Sequence, residues 1–176
     1  MRQLGKLTIV VLIALSPVVA KAADPITVPT SANDSLPVAD TGFNWDGFYA
    51  GVYGAGRTSP VDGGQIGVGV DLGVNARLEF VLVGGEVAVE GLTGGTSSIY
   101  GEAIGKAGIL LSDNLVLYGA AGLGTDFGAQ SDALFGGGLD LAVSDNVSLD
   151  ARYLHGAPIT GANPKDQLTI GAKFHF

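Results

Sequence analysis

The chain has 176 residues, of which 29 are glycine, none is cysteine and only 15% are charged. That length suggests one domain, and disulfides cannot hold it. Nine basic residues against 17 acidic ones give a net charge of −8, which argues against nucleic-acid binding through the overall field.

The first 22 residues read as an export signal. Arg2 and Lys6 make a basic start, Leu7 to Ala20 is an apolar run, and Ala20-Lys21-Ala22 puts small residues at −3 and −1 of a cleavage site before Ala23. The run falls short of the ~20 apolar residues of a membrane-spanning helix. Cleavage there removes Arg2, Lys6 and Lys21 and leaves six basic and 17 acidic residues, a net charge of −11. Residues 23–44, ADPITVPTSANDSLPVADTGFN, hold three prolines and several small polar residues and predict a flexible periplasmic linker.

From Trp45 onward the pattern has period two. Eight strands are predicted, at about 45–57, 63–74, 79–91, 97–111, 115–126, 130–143, 147–157 and 166–176. In the second, Ile66, Val68, Val70, Leu72 and Val74 alternate with Gly, Gln and Asp; in the third, Val81, Val83, Val87 and Val89 oppose Leu82, Glu86 and Glu90. In the seventh, Val147, Leu149, Ala151 and Tyr153 oppose Ser148, Asp150 and Arg152. Such alternation marks strands with different surroundings on their two faces. Parity is ambiguous in the first and fifth strands, where glycine and tyrosine blur the faces. LSDNLVL at Leu111 and VSDNVSL at Val143 repeat 32 residues apart. Ser-Asp-Asn suits tight turns, and the spacing fits one up-and-down strand pair. A turn at Asn75-Ala76-Arg77 is expected on the same side.

Eight alternating strands allow two closed designs. A soluble barrel turns its apolar face inward; a membrane barrel turns it toward lipid. The polar face here is rich in glycine, with charges at Asp71, Glu86, Glu90, Glu102, Lys106, Asp140, Asp150, Arg152 and Lys173. A water-exposed sheet would carry more lysine, glutamate, threonine and glutamine. Ten residues at ~3.3 Å and ~40° tilt rise about 25 Å, the height of the apolar band of such a barrel. The fold class is therefore all-β: a closed antiparallel up-and-down transmembrane barrel of eight strands, residues 45–176.

The last strand is QLTIGAKFHF. Its Thr169-x-Gly171-x-x-Phe174-x-Phe176 pattern resembles the C-terminal assembly signal of bacterial outer-membrane barrels, which implies recognition by the barrel-inserting machinery. FNWDGFYAGVYGAG, Phe43 to Gly56, resembles the opening strand of the small eight-stranded outer-membrane barrels of alphaproteobacteria, porin-like or opacity-type surface proteins. In that family the second strand has a glycine pair, then glycine and an aromatic; here Gly63-Gly64-Gln65-Ile66-Gly67 supplies the glycines and Val68 replaces the aromatic.

The nine charges of the polar face are the only constellation. They are expected to pair across strands in the lumen, either as plain filling or as a plug or gate. Plain filling is the favoured expectation; as the alternative, interior glycines could leave water-filled gaps, where the acidic excess would favour cations. RYLHGAP, around His155, faintly resembles the His-x-Ser site of eight-stranded lipid A deacylases, but Ala157 replaces the serine, so the nucleophile for acyl transfer is missing. No catalytic, cofactor or metal site is expected, and GLGTDFG at Gly122 and GGG at Gly136 open no helix. The connections opposite the Ser-Asp-Asn turns are short, whereas recognition usually rides on long loops. The expected role is structural, in outer-membrane lipid, with a narrow diffusion channel or a surface adhesin as alternatives.

Overall fold

A computed structural model of the chain describes residues 42–94, 97–127 and 130–176. The expected export signal, its cleavage residues Ala20, Ala22 and Ala23, and the linker up to residue 41 lie outside the described residues.

Eight strands form one closed antiparallel barrel, each bonded to its neighbours in sequence and the last to the first. They are β1 Gly47–Ser59, β2 Gly63–Leu78, β3 Val81–Thr93, β4 Ser98–Ser112, β5 Leu115–Asp126, β6 Gln130–Ala142, β7 Val147–Pro158 and β8 Lys165–His175. The end where β1 starts and β8 finishes is called the base below, and the opposite end the mouth. One circuit of the ladder runs from Phe48 through Val74, Gly85, Gly105, Ala121, Phe135, His155 and Asp166 to Thr58. The register therefore climbs from residue 48 to residue 58 in one turn. Closure with such a stagger forces the strands to tilt, typically by ~35–45°. It also leaves no unpaired edge, which a hydrocarbon environment would not tolerate.

Ser112-Asp113-Asn114 and Ser144-Asp145-Asn146 both sit in tight connections at the base; in the second, the Val143 N–H donates to the Val147 carbonyl at 2.9 Å. The expected turn at Asn75–Arg77 is displaced. β2 continues through Leu78, with Asn75 facing Gly84 and Arg77 facing Leu82, and the turn falls at Glu79, where φ is 57°. Asn75 is polar because it points into the lumen, where it is buried, and not because it turns.

The two walls separate cleanly. Val68, Val70, Leu149 and Ile170 are 74, 52, 46 and 64% exposed, whereas Glu86 and Arg152 are 4 and 2% exposed. The outer wall is apolar, with Val, Leu, Ile and Phe beside Ala and Gly, and the inner wall carries nearly all the charges, which is the arrangement of a sheet that contacts lipid outside. Parity also resolves in the two ambiguous strands. β1 turns Tyr49, Tyr53 and Arg57 inward, and β5 turns Val116, Tyr118 and Ala120 inward.

Four interior glycines seat tyrosine rings. A methyl group at Gly73 would lie 2.2 Å from the Tyr49 ring, one at Gly69 2.3 Å from the Tyr53 ring, and one at Gly124 2.0 Å from the Tyr100 hydroxyl. At Gly138 it would lie 2.7 Å from the Tyr118 hydroxyl. Each ring lies flat on a neighbouring strand where that strand has no side chain. At these positions the missing glycine side chains are replaced by aromatic volume from the next strand.

Hydrophobic packing is concentrated at the base. Trp45 is fully buried, its indole N–H donates to the Asp113 carbonyl at 3.0 Å, and its ring meets Phe43 edge-on at 4.5 Å. Phe43, on the linker side of the expected boundary, is itself buried there. These two rings join Leu82, Val116, Tyr118 and Ala120 in one cluster. The inward apolar face of β5 is thus the seat for the chain segment that enters the barrel.

Candidate functional site

Alternation along the strands delivers charges from β2, β3, β4, β6, β7 and β8 into a space too narrow for bulk water. All nine residues of the sequence-derived set are buried inside the barrel. Seven of them meet in one network near the base. Glu86 is its centre. It accepts hydrogen bonds from the Tyr49 hydroxyl at 2.7 Å, from Lys106 at 3.0 Å and from Arg152, and Lys173 lies 3.4 Å away. Arg152 extends its other guanidinium nitrogen to Glu102 at 2.6 Å. Lys173 also lies 3.3 Å from Asp150 and 3.6 Å from Asp140, and the Tyr118 hydroxyl donates to Asp150. The planar fork of arginine allows it to bridge two carboxylates at once, which a lysine ammonium does with less geometric precision.

The other two residues lie apart. Among the described residues Asp71 has no ion-pair partner. It lies over Gly51, where a Cβ would come within 2.6 Å of its carboxylate, and its Oδ1 is buried without a hydrogen-bond partner. Glu90 belongs to a second cluster toward the mouth, built largely from residues that sequence reasoning missed. Arg57 donates to Glu90 at 2.5 Å and to Gln167 at 2.7 Å, and its guanidinium lies 3.8 Å from the centre of the Tyr100 ring. The Tyr100 hydroxyl donates to Asp132 at 3.0 Å, and Lys165 donates to Asp126 at 2.5 Å and to Asp132 at 3.1 Å. Asp132 was findable: it lies eight residues before Asp140 on the same strand and so shares its face. Arg57 lies on β1, where parity is blurred, and Lys165 stands one residue before the expected start of the last strand.

Among the described residues the lumen therefore holds five bases, Arg57, Lys106, Arg152, Lys165 and Lys173, against eight carboxylates. Every one of these bases touches at least one carboxylate. Desolvating so many charges is expensive, and the pairing is what makes it tolerable; removal of one partner leaves a buried charge alone.

The residues of the C-terminal pattern divide between the walls. Thr169 and Gly171 face inward, with Gly171 under Tyr53, while Phe174 and Phe176 face outward, 5.4 Å apart. The Phe176 N–H donates to the Phe48 carbonyl at 3.0 Å, so Phe48, Phe174 and Phe176 form an outward aromatic group at the base where β1 meets β8. Phe135 and Tyr153 are outward aromatics nearer the mouth. The two histidines are far apart in the fold. His175 lies under the Trp45 and Phe43 rings, with Nε2 3.0 Å from the Ser148 hydroxyl. His155 is on the outer wall, with Nδ1 2.8 Å from Asp166 Oδ1, and the Tyr153 hydroxyl donates to the same oxygen at 2.6 Å. Among the described residues no three His, Asp or Glu side chains are grouped to hold a metal ion. Gly122 and Gly136 lie inside β5 and β6, where a Cβ would strike the carbonyls of Ala103 and Tyr153 at 2.1 and 2.0 Å; they allow close strand packing and form no phosphate loop.

The chain has the fold of an outer-membrane β-barrel. Ail, the attachment invasion locus protein of Yersinia pestis, superposes with a TM-score of 0.57 and 18% identity, over 74% of this chain and 99% of Ail. Neisserial surface protein A gives 0.52 and 18%, over 73% of this chain and 97% of that one. The N-terminal β-barrel domain of Pseudomonas aeruginosa OprF gives 0.51 and 14%, over 76% and 99%. No family model matches the sequence, and no curated protein matches it.

Proposed function

We propose that the protein is a structural component of the bacterial outer membrane, with its base toward the periplasm, its lumen closed to solutes and no catalytic activity. The observation that supports this reading is the filling of the lumen from the base to the Glu86 network. The Phe43 and Trp45 rings cover the base, and above them Glu86 ties strands β1, β4, β7 and β8 together through Tyr49, Lys106, Arg152 and Lys173. The contacts run across the barrel axis, so they brace the cylinder against collapse or ovalisation. The same proposal includes an export signal cleaved before Ala23, a periplasmic linker, and engagement of the barrel-inserting machinery through Thr169, Gly171, Phe174 and Phe176. Purified protein in planar bilayers is expected to be electrically silent, and a strain lacking it is expected to become sensitive to detergent and large antibiotics. Stepwise conductance of the unaltered protein would refute the closed lumen.

A narrow cation channel is the second reading, and the excess of carboxylates over bases in the lumen favours it. It requires Arg152 to leave Glu86, since the guanidinium stands across the axis between Glu86 and Glu102. An adhesin for anionic glycans has less support. Ail has been solved with the heparin analogue sucrose octasulfate. At the mouth of this barrel the only bases among the described residues, Arg57 and Lys165, are buried against Glu90, Asp126 and Asp132.

A further inference from the structure

The outward faces of the eight strands are apolar with one exception. Among the described residues they carry Val, Leu, Ile, Phe, Ala and Gly, with Ser and Thr only at or next to strand ends. The exception is on β7 and β8, where Tyr153, His155 and Asp166 point outward. No other outward strand position among the described residues has an ionisable side chain, and these three are in contact.

Asp166 faces His155 across the β7–β8 ladder. Its Oδ1 accepts from the Tyr153 hydroxyl at 2.6 Å and lies 2.8 Å from His155 Nδ1. A carboxylate only accepts, so Nδ1 carries a proton, and in the neutral ring Nε2 is an acceptor. Both donors converge on one oxygen, which leaves Oδ2 without a hydrogen-bond partner among the described residues. The Asp166 side chain is 50% exposed. Aromatic rings flank it: Tyr153 and Phe135 are 48 and 51% exposed, and the Phe135 ring lies 5.1 Å from the His155 ring. The group also reaches below the rim, since Tyr153 lies five positions before the end of β7 at Pro158.

A carboxylate on a lipid-facing wall is costly. The two donors on Oδ1 offset part of that cost, and Oδ2 still calls for a donor. No lysine or arginine points outward from the strands among the described residues, so an anionic group alone gains nothing here. The complement is a cation that donates hydrogen bonds. A primary ammonium does both: its N–H groups reach a carboxylate oxygen in charge-assisted bonds, and its charge is attracted to exposed aromatic faces. The wall that carries the site meets lipid, so acyl chains lie along the apolar strands below it while a headgroup stands at its level.

We propose that Tyr153, His155 and Asp166 form an outer-wall binding site for a membrane phospholipid with a primary ammonium headgroup. The ammonium sits on Asp166 Oδ2 beside the Tyr153 and Phe135 rings. Tyr153 and His155 are positioning residues that hold the carboxylate toward the lipid. The site does not depend on whether the lumen conducts.

The test is an NMR titration of the isotopically labelled full chain in a maltoside detergent. The probes are short-chain phosphatidylethanolamine, phosphatidylglycerol of the same acyl length, and free ethanolamine. Saturable shifts of the Tyr153, His155 and Asp166 amides are expected with phosphatidylethanolamine. Phosphatidylglycerol should bind about tenfold more weakly, the factor that ~1.4 kcal/mol gives. Asp166→Asn should remove this preference while the heat-modifiable gel mobility of the folded barrel is retained. His155→Gln, also on the outer wall, should reduce the preference and keeps the test alive should Asp166→Asn fold poorly. Equal binding of the two lipids would show acyl contact alone and overturn the site. So would a preference unchanged in both variants. Free ethanolamine shifting the same amides as tightly as the lipid would make the ligand a soluble amine and overturn the lipid assignment.

Discussion

The base and the mouth of this lumen are made from the same residue types and behave differently. Near the base each cation is shared among several partners, and tyrosine rings and Trp45 exclude water from around them. Near the mouth Arg57 and Lys165 are equally buried, yet the carboxylate between them, Asp126, keeps one oxygen unbonded and opens onto a cavity. The difference lies in what caps each cluster. Aromatic side chains close the base, and every charge there except Asp71 is paired with an opposite one. Nothing of comparable size covers the mouth among the described residues, and one Asp126 oxygen there stays unpaired. Closure and opening thus arise from one alternating pattern, according to where large rings are placed.

The strongest way to break the comparison is to remove its tightest point. Glu86→Ala leaves Lys106, Arg152 and Lys173 facing one another without their common anion. Loss of one partner from a buried network costs about 3–5 kcal/mol, and the melting transition read from heat-modifiable gel mobility is expected to fall accordingly. The equivalent truncation near the mouth should cost less. If Glu86→Ala melts with the unaltered protein, the network does not hold the barrel together.

Trp45→Ala tests the cap alone. Truncating a buried Trp typically costs about 3–5 kcal/mol; here the lower end is expected, because detergent and water can reach the base from below. Bilayer recordings of this variant should stay silent, since the Glu86 network above remains. Appearance of steady conductance would move the seal from the ion network to the Trp45 and Phe43 rings.

Gly124→Ala probes how ring and backbone fit. The added methyl would lie 2.0 Å from the Tyr100 hydroxyl, and that ring is held by Asp132 and by Arg57 against its face. Overpacking of this kind costs about 1–3 kcal/mol. Combining it with Tyr100→Leu should cost less than the two single changes added together. Strict additivity in the double-mutant cycle would show that Gly124 is not there to seat the ring.

The outline of this molecule was readable because alternation is a strong signal when the outer wall must be apolar throughout. β2 and β3 carry Val, Leu or Ile at most outward positions and β7 opens with Val147 and Leu149 outward, and eight strands emerge at close to their observed limits. Parity failed in β1 and β5 because the lumen there is not polar. Val116 and Ala120 point inward to meet Trp45 and Phe43, and Tyr49 and Tyr53 point inward onto Gly73 and Gly69. A rule that equates polar with inside cannot place them. The role of the four ring-seating glycines was hidden for a related reason: it depends on a tyrosine one strand away, and that pairing is visible only once register is known. Membership of the base network was legible from alternation alone, because each of its charges lies on a strand with clear faces. The mouth cluster was not, because two of its main elements, Arg57 and Lys165, lie on an ambiguous strand and at a strand end.

The smallest stability effect is expected at Asp126, and its smallness is informative. This side chain is 20% exposed, its pair with Lys165 sits at the rim, and Lys165 retains Asp132 at 3.1 Å when Asp126 becomes neutral. A partly solvated pair with a substitute partner contributes no more than about 1 kcal/mol. Asp126→Asn should therefore melt close to the unaltered barrel, and the drop should shrink further in high salt, which screens exposed pairs more than buried ones. A loss as large as that of Glu86→Ala would mean that the mouth is held as tightly as the base. Asp126 would then be a structural residue, and the contrast between a sealed base and an open mouth would be lost.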